Sequence, residues 1–136
     1  MNSSDFDRGE AMRRTVLGDP HVDRELSNPD QFFQPMQAMV TSFAWGDVWT
    51  RDDLPLKTRS LITLAMLIAL NRPNELQVHT LGALRNGCSV SEIRGVLMHS
   101  AVYCGFPAAL DSFRTVSKAL KSAGIDTEEH FTKFPV

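Results

Sequence analysis

A chain of 136 residues with 43% hydrophobic and 22% charged side chains has the size and composition of one globular domain with its own core. A net charge of −2 leaves no electrostatic footprint for nucleic acid, and the most apolar window, 61–70, is about half of what a bilayer requires. Cys88 and Cys104 fit no metal or redox spacing, and residues 1–14 lack the apolar stretch of a secretory signal, so a reducing cytoplasm is the expected compartment.

Every long segment reads as helix, and no stretch alternates cleanly enough for a strand. A first helix is expected over 5–17, stopped by Gly18 with Pro20 just beyond. Residues 21–28 read as a loop, after which Pro29 opens a second helix to about Phe43. Residues 46–53, around Trp49, read as a connector or a single helical turn. Pro55 marks the entry to a third helix over 56–70, apolar almost all round after Ser60 and therefore expected at the centre. Asn71-Arg72-Pro73 interrupts the pattern, and proline at a first helical position leaves no hydrogen bond unmade, so a fourth helix runs over 73–87.

Ser89-Val90-Ser91-Glu92 spells a capping box for a fifth helix that ends at Cys104, with Gly105 as its left-handed stop. Its inner face is predicted from spacings of three and four: Ile93, Val96, Leu97, Ser100, Ala101 and Cys104. Pro107 opens a sixth helix that ends near Gly124. Connections this short imply antiparallel neighbours, so 56–124 should form a compact helical bundle. Residues 125–136 show no strong period and read as a docked or frayed tail.

Three clusters could carry chemistry. Glu75 and His79 are four apart on one helix and must share a face. A carboxylate that holds an imidazole tautomer poises a proton donor near neutral pH, although the same spacing is common in solvated surface pairs. The second cluster, Gly18-Asp19-Pro20-His21-Val22-Asp23-Arg24, reads either as a loop that supplies binding groups or as a solvated turn with His21 capping a helix end. The third, Trp45 to Arg51, brings two tryptophans around Gly46, which could wall a pocket or bury the connector; the residues alone favour burial. His99 and Tyr103 share a helix face away from the apolar stripe and read as a packing seam, with Tyr103 near enough to Gly105 to line a cleft. No phosphate loop, nucleophile elbow or metal-ligand cluster is visible, and His130 in the tail has no assigned role.

Taken in order, MRRTVLGDPHVDR (12–24), FAWGDVWTR (43–51), TRSLITLAMLIALNRPNELQVHTLGALRNG (58–87) and EIRGVLMHSAVYCGFPAAL (92–110) resemble the γ-carboxymuconolactone decarboxylase family, over 8–120 of one domain. The resemblance implies an all-α, alkylhydroperoxidase D-like fold whose protomers assemble into ring-like trimers or hexamers. It also implies cofactor-free loss of carbon dioxide from a dicarboxylate lactone in protocatechuate breakdown, yielding the enol-lactone of 3-oxoadipate, with no nucleic-acid or membrane partner. In the wider superfamily a Cys-x-x-Cys precedes the helical histidine. Registered on His79, those positions are Arg72 and Glu75, so a thiol-dependent antioxidant activity is the alternative that lacks its thiols. A decarboxylase for a different carboxylated lactone is the other alternative.

For the implied substrate, the catalytic set is His79 as proton donor, Glu75 as its orienter, and His21 as reserve donor or donor to the lactone oxygen. Two carboxylates cannot be buried without cations, and an arginine fork meets a carboxylate on two prongs. Arg24 and Arg59 are expected to bind substrate, with Arg51 and Arg72 as further candidates and with Trp45 and Tyr103 as walls. No metal ligand is expected. Ring assembly would let the 21–24 segment reach a site built by the bundle, in its own protomer or a neighbour.

Overall fold

The computed structural model describes residues 3–28 and 30–131, and every regular element among them is helical. The chain divides into two compact units, Met1–Leu56 and Lys57–Val136. Among the described residues no helix is long and apolar enough to cross a membrane.

In the first unit, α1 (Ser3–Leu17) carries Asp5 in its first turn and Arg14 in its last, the charge order that suits a helix dipole. Gly18, at φ 85°, ends it as expected. The chain does not then enter a loop. Residues 19–26 form α2 (Asp19–Leu26), a correction to the loop expected at 21–28. Gly18 serves both helices, Pro20 occupies a position that needs no amide donor, and Val22 is fully buried. One buried apolar residue in eight makes no detectable period, which is why this helix was invisible in the sequence.

The next helix starts later than expected. Pro29 lies outside the described residues. Asn28 accepts from the Asp30 amide and Asp30 from the Phe32 amide, turns that compete with helix until Pro35. From there α3 (Gln34–Met39) runs without a break into a π-helix, Val40–Val48, so Gly46 to Val48 continue the preceding helix and do not form a separate turn in a connector. The π-helix crosses α1 backbone against backbone. A β-carbon on Gly9 would fall 1.8 Å from the Thr41 carbonyl oxygen, and one on Gly46 2.7 Å from that of Asp5, so only glycine fits either position. The Arg8 Nε donates to the Gly46 carbonyl at 3.0 Å across this crossing.

The second unit holds α4 (Leu56–Ala69), α5 (Pro73–Arg85), α6 (Val90–Cys104), α7 (Phe106–Ser122) and a 3-10 turn, Thr127–His130. The expected punctuation is in place. Asn71 takes a left-handed φ of 56°, Arg72 caps α5 and Pro73 opens it. The Ser89 hydroxyl accepts from the Glu92 amide at 3.0 Å while the Glu92 carboxylate accepts from the Ser89 amide at 2.9 Å. Gly87, Gly105 and Gly124 all have φ between 77° and 94° at helix ends.

The core joins Leu64 and Ile68 of α4, Leu76 and Ala83 of α5, Ile93 and Leu97 of α6, and Val116 and Leu120 of α7, with α7 packed on both α5 and α6. Burial of each large aliphatic side chain in such a cluster stabilises by roughly 1.5–3 kcal/mol. Two expectations need correcting here. The helix over 56–70 is not surrounded within the chain, because Met66 and Leu70 are exposed and only Ser60, Leu64 and Ile68 are buried. Cys104 is exposed as well, because α6 ends there and its last turn leaves the core behind. The tail is docked as far as it is described: the Arg94 guanidinium lies 3.6 Å over the Phe131 ring. Residues 132–136 lie outside the described residues.

Candidate active site

The candidate residues fall into two sets, one in each unit. In the second unit, α5 buries Leu76, His79, Thr80 and Ala83, a stripe with spacings of three, four and seven. His79 is therefore on the inner face, 9% exposed, and is not half of a solvated surface pair. Glu75 stands one turn earlier, exposed in the first turn of α5, where the helix dipole also favours a carboxylate. The Asn86 Nδ2 donates to the buried Ser60 Oγ at 2.9 Å, tying the end of α5 to α4. That bond sets the helix bearing Arg59, which is half-buried, against the helix bearing His79. Tyr103 is exposed on α6 with its ring 4.8 Å from that of His99, the expected seam on the side away from the core.

In the first unit, His21 and Arg24 lie one turn apart on α2, His21 half-buried and Arg24 exposed. Arg14 holds α2 to α1 through Asp23 at 2.8 Å and Asp19 at 3.2 Å, and these carboxylates raise its pKa further. Trp45 is buried and stacks on Trp49, with ring centroids 4.8 Å apart, four residues along the helical run. Three of the candidate arginines, Arg72, Arg51 and Arg24, differ in what already engages them. Arg72 donates to the Leu70 carbonyl at 2.9 Å and closes the end of α4. Arg51 pairs with Asp53 at 2.9 Å, which raises its pKa. Arg24 is in no ion pair among the described residues.

A buried polar network in the first unit had no signal in the sequence. Arg13, 5% exposed, donates from Nη1 to Gln37 Oε1 at 2.9 Å and to Thr41 Oγ1 at 3.2 Å. Gln37 Nε2 in turn donates to Glu25 Oε2 at 2.8 Å. Nothing in Met12-Arg13-Arg14 says which arginine turns inward; only the partners on other helices decide it. A cavity of about 370 Å³ adjoins this network, lined among others by Phe6, Glu10, Glu25, Phe33 and Gln37, and by none of the candidate catalytic or substrate-binding residues. Among the described residues no three His, Cys, Asp or Glu side chains gather as a metal-binding group.

The comparisons with known proteins bear on this arrangement. The sequence profile described as the Carboxymuconolactone decarboxylase family matches residues 34–118, a span that takes in Arg59, Glu75, His79 and Tyr103 and begins after His21 and Arg24. The chain is 38% identical over 124 residues to 4-carboxymuconolactone decarboxylase of Acinetobacter baylyi, covering 91% of this chain and 92% of that one. It is 41% identical over 115 residues to nitrosuccinic acid decarboxylase npaB of Metarhizium robertsii, covering 85% of this chain and 80% of the relative. A 4-carboxymuconolactone decarboxylase of Pseudomonas putida matches at 48% over 42 residues, 31% of this chain and 88% of that one. An all-helical chain with a histidine on the inner face of α5, matched over nearly its whole length at these identities, belongs to the carboxymuconolactone decarboxylase family.

Proposed function

We propose that this protein decarboxylates γ-carboxymuconolactone to the enol-lactone of 3-oxoadipate. The observation that carries the reading is the 38% identity to a 4-carboxymuconolactone decarboxylase across nine-tenths of both chains. The departing carboxylate is vinylogous to the lactone carbonyl. As its carbon–carbon bond breaks, carbon dioxide leaves and the electron pair passes through the ring double bond onto the carbonyl oxygen. The resulting dienolate collapses back as a ring carbon takes up a proton. The ring is its own electron sink, so the scheme calls for no cofactor.

The protein then has three tasks: holding the retained carboxylate, stabilising charge on the lactone oxygen, and delivering the proton. His79 delivers the proton from the inner face of α5, oriented by Glu75. His21 donates to the lactone oxygen. Arg24 and Arg59 hold the carboxylates, supported by Arg51, with Trp45 and Tyr103 as walls. A positioned acid contributes about 10²–10⁴-fold and an oxyanion donor about 10²–10³-fold. The scheme requires His21 and Arg24 to meet the substrate that His79 protonates, within one protomer or across two. The working form is a homo-oligomer, a trimer or hexamer, in the cytoplasm. Apolar side chains left in solvent support it, among them Phe32 in the first unit and Val102, Tyr103 and Phe106 in the second.

A second substrate has its own support in the 41% identity to a nitrosuccinic acid decarboxylase. There the nitro group would absorb the electron pair, and the same donor would protonate the carbon. Ultraviolet decay of the lactone and carbon dioxide release from nitrosuccinic acid, each with purified protein and a chelator, separate the readings. Rapid loss of the lactone absorbance is expected, undiminished by the chelator. Turnover of nitrosuccinic acid alone would assign the second substrate, and turnover of neither by folded protein would overturn both. Activity lost on chelation would contradict the metal-free scheme.

A further inference from the structure

We infer that Gln37 is a positioning residue for the reaction: clamped by the buried Arg13, it holds α2 at Glu25 and so sets where Arg24 and His21 stand. The inference rests on the substrate roles proposed above for those two residues. Several contacts hold α2, and they differ in how firmly they fix its geometry. A helix of eight residues is far below the length that is stable alone, and its N-cap, Gly18, supplies no side-chain hydrogen bond. Val22 anchors one side in the core, and Arg14 pairs with Asp19 and Asp23. The aspartates of those pairs stand largely in solvent, where ion pairs hold geometry weakly.

The contact with Gln37 is of another kind. Glu25 accepts from Gln37 Nε2 at 2.8 Å in a partly buried, charge-assisted hydrogen bond. Gln37 cannot swing to break it, because its own Oε1 is taken by Arg13 at 2.9 Å. Arg13 is held in turn by Thr41 and by burial, so a charge that would be costly to leave without acceptors fixes the amide. On this side α2 faces the 370 Å³ cavity, which Glu25 and Leu26 line together with Gln37 and Ala38. Packed side chains are therefore not there to keep the helix in place if the hydrogen bond goes. His21, Arg24 and Glu25 are related by three and four residues, so they share one side of α2. A tether at Glu25 fixes the rotation of that side about the helix axis.

Exchange of the two partners tests the inference. Gln37→Glu keeps an oxygen for Arg13 but sets a carboxylate against Glu25, breaking the tether without stranding the buried guanidinium. The double variant Gln37→Glu with Glu25→Gln restores the hydrogen bond with its direction reversed. Both are assayed on the better of the two substrates, with folding checked by circular dichroism. Gln37→Glu is expected to raise KM about tenfold or more with a smaller change in kcat, because displacing a positioning group by an ångström can cost up to about 10²-fold. The double variant should return KM to near the wild-type value, and Gln37→Glu should add little to Arg24→Ala, since both act on the same contact. Amide exchange in α2 should rise in the single variant and fall back in the double. An unchanged KM in folded Gln37→Glu, where Arg24→Ala does raise it, overturns the positioning role alone. A folded double variant without rescue does the same. Normal kinetics in Arg24→Ala, or a wild-type chain inactive on both substrates, overturns the reading beneath it and the inference together.

Discussion

His79 belongs to the buried stripe of α5, and that placement decides what a substitution there can report. A buried polar ring replaced by a shorter side chain costs roughly 1–3 kcal/mol whatever its chemical role, so a lowered melting temperature does not distinguish a catalytic histidine from a structural one. Turnover does. His79→Asn is expected to lower kcat of the folded protein by at least about 10²-fold. A purely structural histidine would leave kcat of the folded fraction nearly unchanged. The cysteines need a similar adjustment. Burial pushes the Cys88 thiol up, and its Sγ lies 3.6 Å from the Lys57 carbonyl, whereas Cys104 is exposed. Iodoacetamide should modify native Cys104 and spare Cys88 until unfolding, as read by mass spectrometry. Labelling then reports access and not function, so Cys104→Ser is the better discriminant. Full turnover in that variant is expected; its loss would bring thiol chemistry back.

At the scale of elements, the start of α6 is the most completely specified joint in the chain. The Ser89 amide donates to the Glu92 carboxylate, and Lys57 pairs with it at 3.0 Å; both hold its pKa below the ordinary carboxylate range, the amide foremost. Folding therefore favours the ionised form. The resulting stabilisation is complete above the ordinary carboxylate value of about 4.3 and is lost as pH falls through the lowered folded value. Glu92→Gln should accordingly be less stable than the wild type at pH 7, with the two urea midpoints converging in acid. Equal midpoints at pH 7 would show that the capping box is neutral in energy. Other elements left weaker traces. The π-helix 40–48 contains Gly46, which reads as a breaker until its contact with α1 is seen. Helix α2 buries only Val22 and so carries no period at all.

At the scale of the whole molecule, apolar side chains remain in solvent on both units: Phe32 is 95% exposed, Val102 76% and Phe106 73%. Contiguous apolar surface marks interaction sites, and the proposed homo-oligomer would cover such side chains. Light scattering should give a mass three or six times that of the 15.2 kDa chain. A monomer throughout the micromolar range would remove the ring assembly. The helix over 56–70, expected at the centre, likewise leaves Met66 and Leu70 exposed in the single chain.

What the residues determined unaided is local. Prolines 73 and 107, the glycines at 18, 87, 105 and 124, and the Ser89–Glu92 box set helix ends within a residue or two, because each acts through its own backbone or a neighbour four positions away or fewer. The periodic stripe of α6 named Ile93 and Leu97 correctly for the same reason. The tertiary structure alone decided that Arg13 turns inward and Arg14 outward, that Gln37 joins three helices, that Gly9 meets Gly46, and that His79 is buried while Glu75 is not. Each of those depends on a partner distant in sequence. A hydrogen bond or close approach between residues 12 to 37 positions apart leaves no period or spacing for a reader of the chain to find.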